Sequence, residues 1–220
     1  MRIGLVTLTR PARTTETASR RSAGQGPGRR RTTSTFDVCV VGHVRHVKDP
    51  FRAAMAARRL SAASRVRVVH VGSAMTEAMG RRALAEIDRN PRYVWLGERS
   101  PAEVWRTAAS SRVSVLSSRM EGGANAIGES IIAGTPVIAS RIAGNVGLLG
   151  EAYPAYFDVG DTAALAELLD RAERDARFLD DLGSRCAALA SCFDPVRERA
   201  AWAALLGEIT SRPQVEVTRL

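Results

Sequence analysis

Lysine is almost absent from this chain: among 32 basic residues in 220, Lys48 stands alone and the rest are arginines. An ammonium kept against that bias marks a place where a compact point charge is wanted. Cysteine is scarce as well. Cys39, Cys186 and Cys192 form no CxxC pair and have no histidine at ligand spacing, which argues against a disulfide scaffold or a zinc module and suits a reducing cytoplasm. Cys39 lies in an apolar run and reads as a small core residue. No apolar run approaches the roughly 20 residues needed to span a bilayer. Residues 3–9 are too few, and Arg10 and Arg13 follow too soon, for a convincing secretory signal. GxGxxG and Walker sequences are missing, which argues against a dinucleotide or P-loop fold. So is any Asp-x-Asp that could hold a metal-bound diphosphate.

What is present is a 45% hydrophobic composition, enough for one ordinary domain with a full core. The net charge of +9 is unevenly placed. Residues 1–35 hold eight arginines against Glu16 alone, a net of +7, which leaves +2 for the remainder. The basic character belongs to a leader and says little about what the folded part binds. Nucleic acid is one partner for such a segment. A solvated, disordered leader is the preferred reading, because residues 10–35 are Arg, Ser, Thr and Gly with almost no apolar content. Residues 2–9 could form a lone strand. The expected organisation is a leader over 1–35, a folded domain over 36–212 and a tail over 213–220.

From Phe36 onward, strand and helix patterns alternate. Strands are expected at 36–41, 66–71, 93–96, 113–116, 136–139 and, shorter, 156–159. Helices are expected at 51–60 behind an Asp49-Pro50 start, at 75–87, and at 101–109 behind a Ser100…Glu103 capping box. Further helices are expected at 162–172 behind Asp161, at 178–190 and at 195–209. Alternation with short connections predicts a Rossmann-like, doubly wound parallel sheet with helices on both faces. Ligands of such sheets sit at the carboxyl ends of the strands, so the loops after Val41, Leu96, Leu116 and Ala139 should line one cleft.

One stretch, SSRMEGGANAIGESIIAGTPVIAS over 117–140, carries most of the chemistry. A Gly-Gly turn follows a buried strand, Asn125 is placed to cap a short helix, and Gly134 stops it. Backbone N–H groups of Gly122, Gly123 and Ala124 and the positive end of the helix suit a phosphate. Glu121 and Glu129 flank that start. A general acid/base pair is one reading of them; hydrogen-bond acceptors for sugar hydroxyls is the favoured one. Solvated carboxylates are the plain alternative. The loop Gly42-His43-Val44-Arg45-His46-Val47-Lys48 offers cations to a pyrophosphate, or is simply a solvated basic loop. His70 reads as a satisfied core or edge residue, and Trp95, Trp105 and Trp202 as packing.

Taken in order, Gly42–Lys48, Leu96-Gly97, Ser117-Ser118 with Glu121-Gly122 and Glu129, and Ala133-Gly134-Thr135-Pro136 through Ser140 resemble family 4 glycosyltransferases over residues 36–172. The resemblance implies the C-terminal, donor-binding half of a GT-B fold, a UDP-sugar or related donor, anomeric retention, and no metal or cofactor. It also implies roles. Lys48, with Arg45 or His43, would neutralise the diphosphate. Glu121 would contact the donor sugar beside the N–H groups of Gly122, Gly123 and Ala124. Glu129 would hold the ribose, and Glu98-Arg99 after Gly97 would flank the base. His43 stands where the family usually has arginine, and EGGA replaces the usual EGFG. The family's amino-terminal acceptor domain has no counterpart here beyond residues 2–9. The wording GHVRHVKDPFRAA, NPRYVWLGE and SSRMEGGAN is similar to the selenosugar synthases of selenoneine biosynthesis, for which selenophosphate is the acceptor. A nucleotide-sugar-binding module without catalysis and an Arg-rich nucleic-acid binder are the alternatives.

Overall fold

The computed structural model describes residues 35–122 and 125–211. The expected leader, the expected strand over 2–9, Gly123, Ala124 and the 213–220 tail lie wholly or almost wholly outside those residues. Six strands form one parallel sheet: β1 (Phe36–Val41), β2 (Val66–Val71), β3 (Tyr93–Trp95), β4 (Val113–Leu116), β5 (Val137–Ser140) and β6 (Tyr156–Phe157), in the order β3-β2-β1-β4-β5-β6. Every neighbouring pair runs parallel, with Val38 level with both Val68 and Val113. This is the expected Rossmann-like arrangement. Strands β4 and β5 are buried at every position, which explains their continuous apolar runs: both faces are covered, so alternation has no use.

Among the described residues five helices join the strands and three more follow β6. They are α1 (Arg52–Ala57), α2 (Glu77–Arg89), α3 (Pro101–Ser110), α4 (Asn125–Ile132), α5 (Ala143–Leu149), α6 (Thr162–Arg174), α7 (Ala176–Leu189) and α8 (Pro195–Ser211). Helix α1 buries four alanines, Ala53, Ala54, Ala56 and Ala57, and these small residues let it lie close against α6. Leu165 and Leu169 of α6, Leu182 of α7 and Ile127 of α4 fill the core with Phe51 and Ile138. Each such side chain contributes about 1.5–3 kcal/mol when fully buried.

Local signals were read correctly where a side chain closes a cap. Asp161 accepts from the N–H groups of Ala163 and Ala164 at 2.9 Å, and the Glu103 carboxylate accepts from Ser100 N–H and Oγ–H. Four expectations need correction. Asp49 does not cap α1: its backbone is left-handed (φ 43°, ψ 54°), Phe51 occupies the cap, and the Asp49 carboxylate accepts from Arg52 instead. Helix α2 starts later than residue 75 because Thr76 caps it through Met79 N–H. Asn125 already lies within α4 (Asn125–Ile132) and so is not its cap. Helix α5, hidden in the glycine-rich GNVGLLG, was not anticipated. Trp202 is largely exposed on α8, so it packs into no core among the described residues.

The sheet order places the site. Chain direction across the sheet reverses between β1 and β4, and the crevice opens outside their carboxyl ends. The loops that leave those two strands carry Lys48 and Glu121.

Candidate functional site

Strand β1 leads into Gly42, where the backbone of Gly72 crosses so closely that a Cβ at residue 72 would lie 2.0 Å from the Gly42 carbonyl oxygen. Beneath the turn, His70 is fully buried. Its Nε2–H donates to the Gly42 carbonyl at 2.9 Å, which leaves Nδ1 to accept from the Tyr93 hydroxyl at 2.9 Å. Burial holds the imidazole neutral, with its pKa pushed down to about 4. His70 is thus a satisfied core residue, as its sequence position suggested, and it props up the first turn of the site. Trp95 adds a second prop by donating Nε1–H to the Gly72 carbonyl at 2.8 Å.

Past the turn, residues His46–Lys48 form a single 3₁₀ turn. The loop after β4 clamps it. Arg119 N–H donates to the Val47 carbonyl at 2.8 Å, and the buried Ser117 hydroxyl is shared between the carbonyls of Lys48 (3.1 Å) and Asp49 (2.8 Å). The clamp delivers the Lys48 ammonium to the Glu121 carboxylate, and the two form a close, largely buried ion pair. Ser118 donates to the same Glu121 oxygen at 2.6 Å. Behind it, Ser140 Oγ–H donates to the Ser118 carbonyl at 2.6 Å, and Asn145 Nδ2–H donates to the Ser140 carbonyl at 2.8 Å. A Cβ at Gly144 would collide with the Glu121 carbonyl at 2.5 Å, so α5 begins directly against this loop.

The two glutamates have different electrostatics. Burial pushes Glu121 up, but hydrogen bonds from Lys48 and Ser118 and the charges of Lys48 and Arg45 outweigh it, and its pKa ends below the ordinary carboxylate range. Glu129, half-buried in the first turns of α4, is raised by burial, with the Lys48 charge offsetting part of that. The Glu129 carboxylate makes no hydrogen bond or ion pair among the described residues. A desolvated, unpartnered acceptor within the field of the Lys48 cation is suited to hydroxyl donors. The enclosed space at the strand ends is only about 10 Å³, lined by Gly42, His43, Lys48, His70, Ser117 and Ser118, so a ligand must lie over the strand ends rather than beneath them.

Of the residues singled out in sequence, Lys48, Glu121 and Glu129 come together electrostatically, with Arg45 near enough to act on Glu121. His43 is exposed and pairs its Nδ1 with the Ser73 hydroxyl at 2.9 Å. Gly122 and Asn125 are exposed beside the start of α4. Glu98 and Arg99 are exposed and are joined to the cluster by no contact; the Arg99 guanidinium turns back to the Glu98 carbonyl. Sequence reading missed the loop after β2, which enters through Gly72, Ser73 and the Val44–Ala74 bridge, and it missed Ser118, Ser140 and Asn145 as supports. Among the described residues no group of His, Cys, Asp and Glu could hold a metal ion.

Residues 29–187 match the protein-family model described as Glycosyl transferases group 1. The chain belongs to that family. Among solved structures, this group 1 chain is similar to Anabaena HepE in complex with UDP and glucose (TM-score 0.71, 21% identity, covering 79% of this chain and 48% of HepE). The HepE complex with UDP-glucose aligns equally well (TM-score 0.72, 21% identity, 79% and 49%). An α,α-trehalose-phosphate synthase (UDP-forming) from Burkholderia vietnamiensis is similar at TM-score 0.68 and 17% identity, covering 81% of this chain and 46% of that one. At these identities the likeness is one of fold, the α/β sheet of a GT-B glycosyltransferase. The group 1 chain spans about half the length of these neighbours. No protein of curated function matches it significantly.

Proposed function

We propose that this chain is the donor-binding half of a retaining, metal-independent glycosyltransferase that takes its sugar from a UDP-sugar. The observation that carries the reading is the Lys48–Glu121 pair at the β1/β4 switch point, with Glu129, unpartnered among the described residues, in the field of the same cation. Family membership supports the reaction class, and the fold neighbours crystallised with UDP and UDP-glucose support the donor.

In this reading Lys48 uses one ammonium N–H to hold Glu121 and turns its remaining donors to the diphosphate. As the bond between the sugar and the diphosphate oxygen breaks, charge grows on the leaving diphosphate, and Lys48 with Arg45 or His43 and the start of α4 stabilises it. Glu121, kept ionised, accepts from the donor sugar's hydroxyls, and Glu129 accepts from the ribose. The acceptor attacks from the face the diphosphate leaves, so no side chain need act as base. The acceptor we favour is selenophosphate, giving a selenosugar with a carbon–selenium bond, on the wording of the loops at 42–54 and 117–125. A cytoplasmic setting belongs to the same proposal. Among the described residues no helix is long and apolar enough to cross a membrane.

The test titrates the full chain with UDP, GDP and several UDP-sugars, then adds selenophosphate and searches for product by mass. Saturable UDP binding is the expected result, and failure to bind any nucleotide sinks the proposal. Binding without product would leave this chain a donor-binding module.

A further inference from the structure

The clamped loop has a second side. Behind the His46–Lys48 turn, away from Glu121, lies a cavity of about 600 Å³ between α1, α2 and the Arg119-Met120 segment, within the size range of small-molecule sites. It shares only Pro50 with the space at the strand ends. Its apolar lining is thioether-rich: Met79 is buried, Met55 half-buried and Met120 73% exposed. Such side chains adapt to an apolar guest.

The polar lining is unbalanced. Arg52, Arg82 and Arg119 face a single carboxylate, Asp49. That carboxylate is already committed to Arg52, which donates Nε–H to it at 2.9 Å and reaches the Gly160 carbonyl at 2.7 Å with another N–H. Arg119 is left with a distant 3.7 Å approach to the same Asp49 oxygen and is half exposed. Arg82 has no acidic partner among the described residues; its guanidinium stacks 4.6 Å above the Phe51 ring, which fixes the plane and leaves the N–H edge free. On the rim of an apolar hollow, with His46 beside them, Arg82 thus has no acidic partner among the described residues and Arg119 has only a distant share of one. Guanidinium pairs of this kind match the oxygens of a phosphate dianion.

We infer that this cavity is a second small-molecule site, distinct from the strand-end site, for a compound that joins a phosphate-type dianion to a compact apolar body. Arg82 and Arg119 hold the dianion, and the three methionines receive the apolar part. The commitment of Asp49 to Arg52 occupies the one carboxylate among the described residues that line the cavity.

Phenyl phosphate is the probe, titrated by calorimetry into the full chain with and without saturating UDP. Saturable binding that persists under UDP is expected. Inorganic phosphate should bind more weakly, because it leaves the methionines unused. Arg82→Gln and Arg119→Gln, both at exposed positions, should each weaken phenyl phosphate by about tenfold or more, and Arg82→Gln, which lies outside the clamp, should do so with UDP affinity unchanged. The assignment is overturned by displacement of phenyl phosphate by UDP, by wild-type affinity in both variants, by no saturable binding at all, or by inorganic phosphate binding as tightly as the aryl ester. The variant arm reads this site even if UDP itself fails to bind.

Discussion

Replacing Glu129 by alanine or glutamine separates a ligand-holding carboxylate from a structural one. In the folded chain the Glu129 carboxylate has no hydrogen-bond partner among the described residues, and burial holds its pKa above the ordinary 4.5. A carboxyl group whose folded pKa is raised contributes stability below its unfolded pKa and loses it as pH rises through the folded one. At neutral pH the unliganded Glu129→Gln chain should therefore be at least as stable as wild type, and the two should converge in acid. UDP binding should move the other way. If Glu129 holds the ribose as proposed, the variant forgoes two charge-assisted hydrogen bonds from its hydroxyls, at an expected cost of about 1–3 kcal/mol, or about 5- to 150-fold in Kd. Ribose bonding favours the ionised form, so wild-type affinity should fall as pH drops through the raised pKa while the variant's stays flat. Calorimetric titration of UDP and 2′-deoxy-UDP into both chains closes a double-mutant cycle. An unchanged UDP affinity in Glu129→Ala, or a variant less stable than wild type at neutral pH, would refute the argument.

Three further outcomes follow from the geometry. Glu121 has a depressed pKa, so its pairing with Lys48 stabilises the fold above the ordinary 4.5 and that contribution drains away as pH falls through the folded value; melting curves on Glu121→Gln should lose this acid-side slope. Gly72→Ala places a Cβ against the Gly42 carbonyl at a residue whose φ is +147°; the backbone must shift, costing about 1–3 kcal/mol, and UDP affinity should drop with it. Glu86 is wholly buried yet meets Arg58, Arg89 and the Asn90 amide. Because both arginines can regain water, Glu86→Ala should cost only about 1–3 kcal/mol in denaturant unfolding, with nucleotide binding intact.

What could be read in sequence was whatever declares itself locally. The five longer strands, β1 to β5, announced themselves as apolar runs, and Asp161 and Ser100 closed caps within four residues. Lys48 stood out by composition, and Glu121 and Glu129 by their place around a glycine turn. What stayed hidden depends on contacts distant in sequence. Nothing near Ser140 or Asn145 says that they support the Ser118 carbonyl, or near His70 that it holds Gly42. Helix α5 was concealed because Gly144 and Gly147 lie within it and lower its intrinsic propensity. Asp49-Pro50 imitates a helix start, but the chain turns left-handed there, and the carboxylate goes to an arginine three residues on. Glu98 and Arg99 were assigned by position in a motif; both are exposed, and the Arg99 guanidinium donates to the Glu98 carbonyl.

The clamp between the two loops bears on how the site comes into being. Lys48 and Glu121 are 73 residues apart in sequence, and strand β1 finds its second neighbour only when β4 arrives. Contacts of such separation close late, because the loop entropy must be overcome before they return anything. Gly42, His70 and Gly72 lie on β1, β2 and the turns after them, whereas the partner of the Lys48 ammonium comes from the loop after β4. The charged pair can therefore form only once β4 has joined the centre of the sheet.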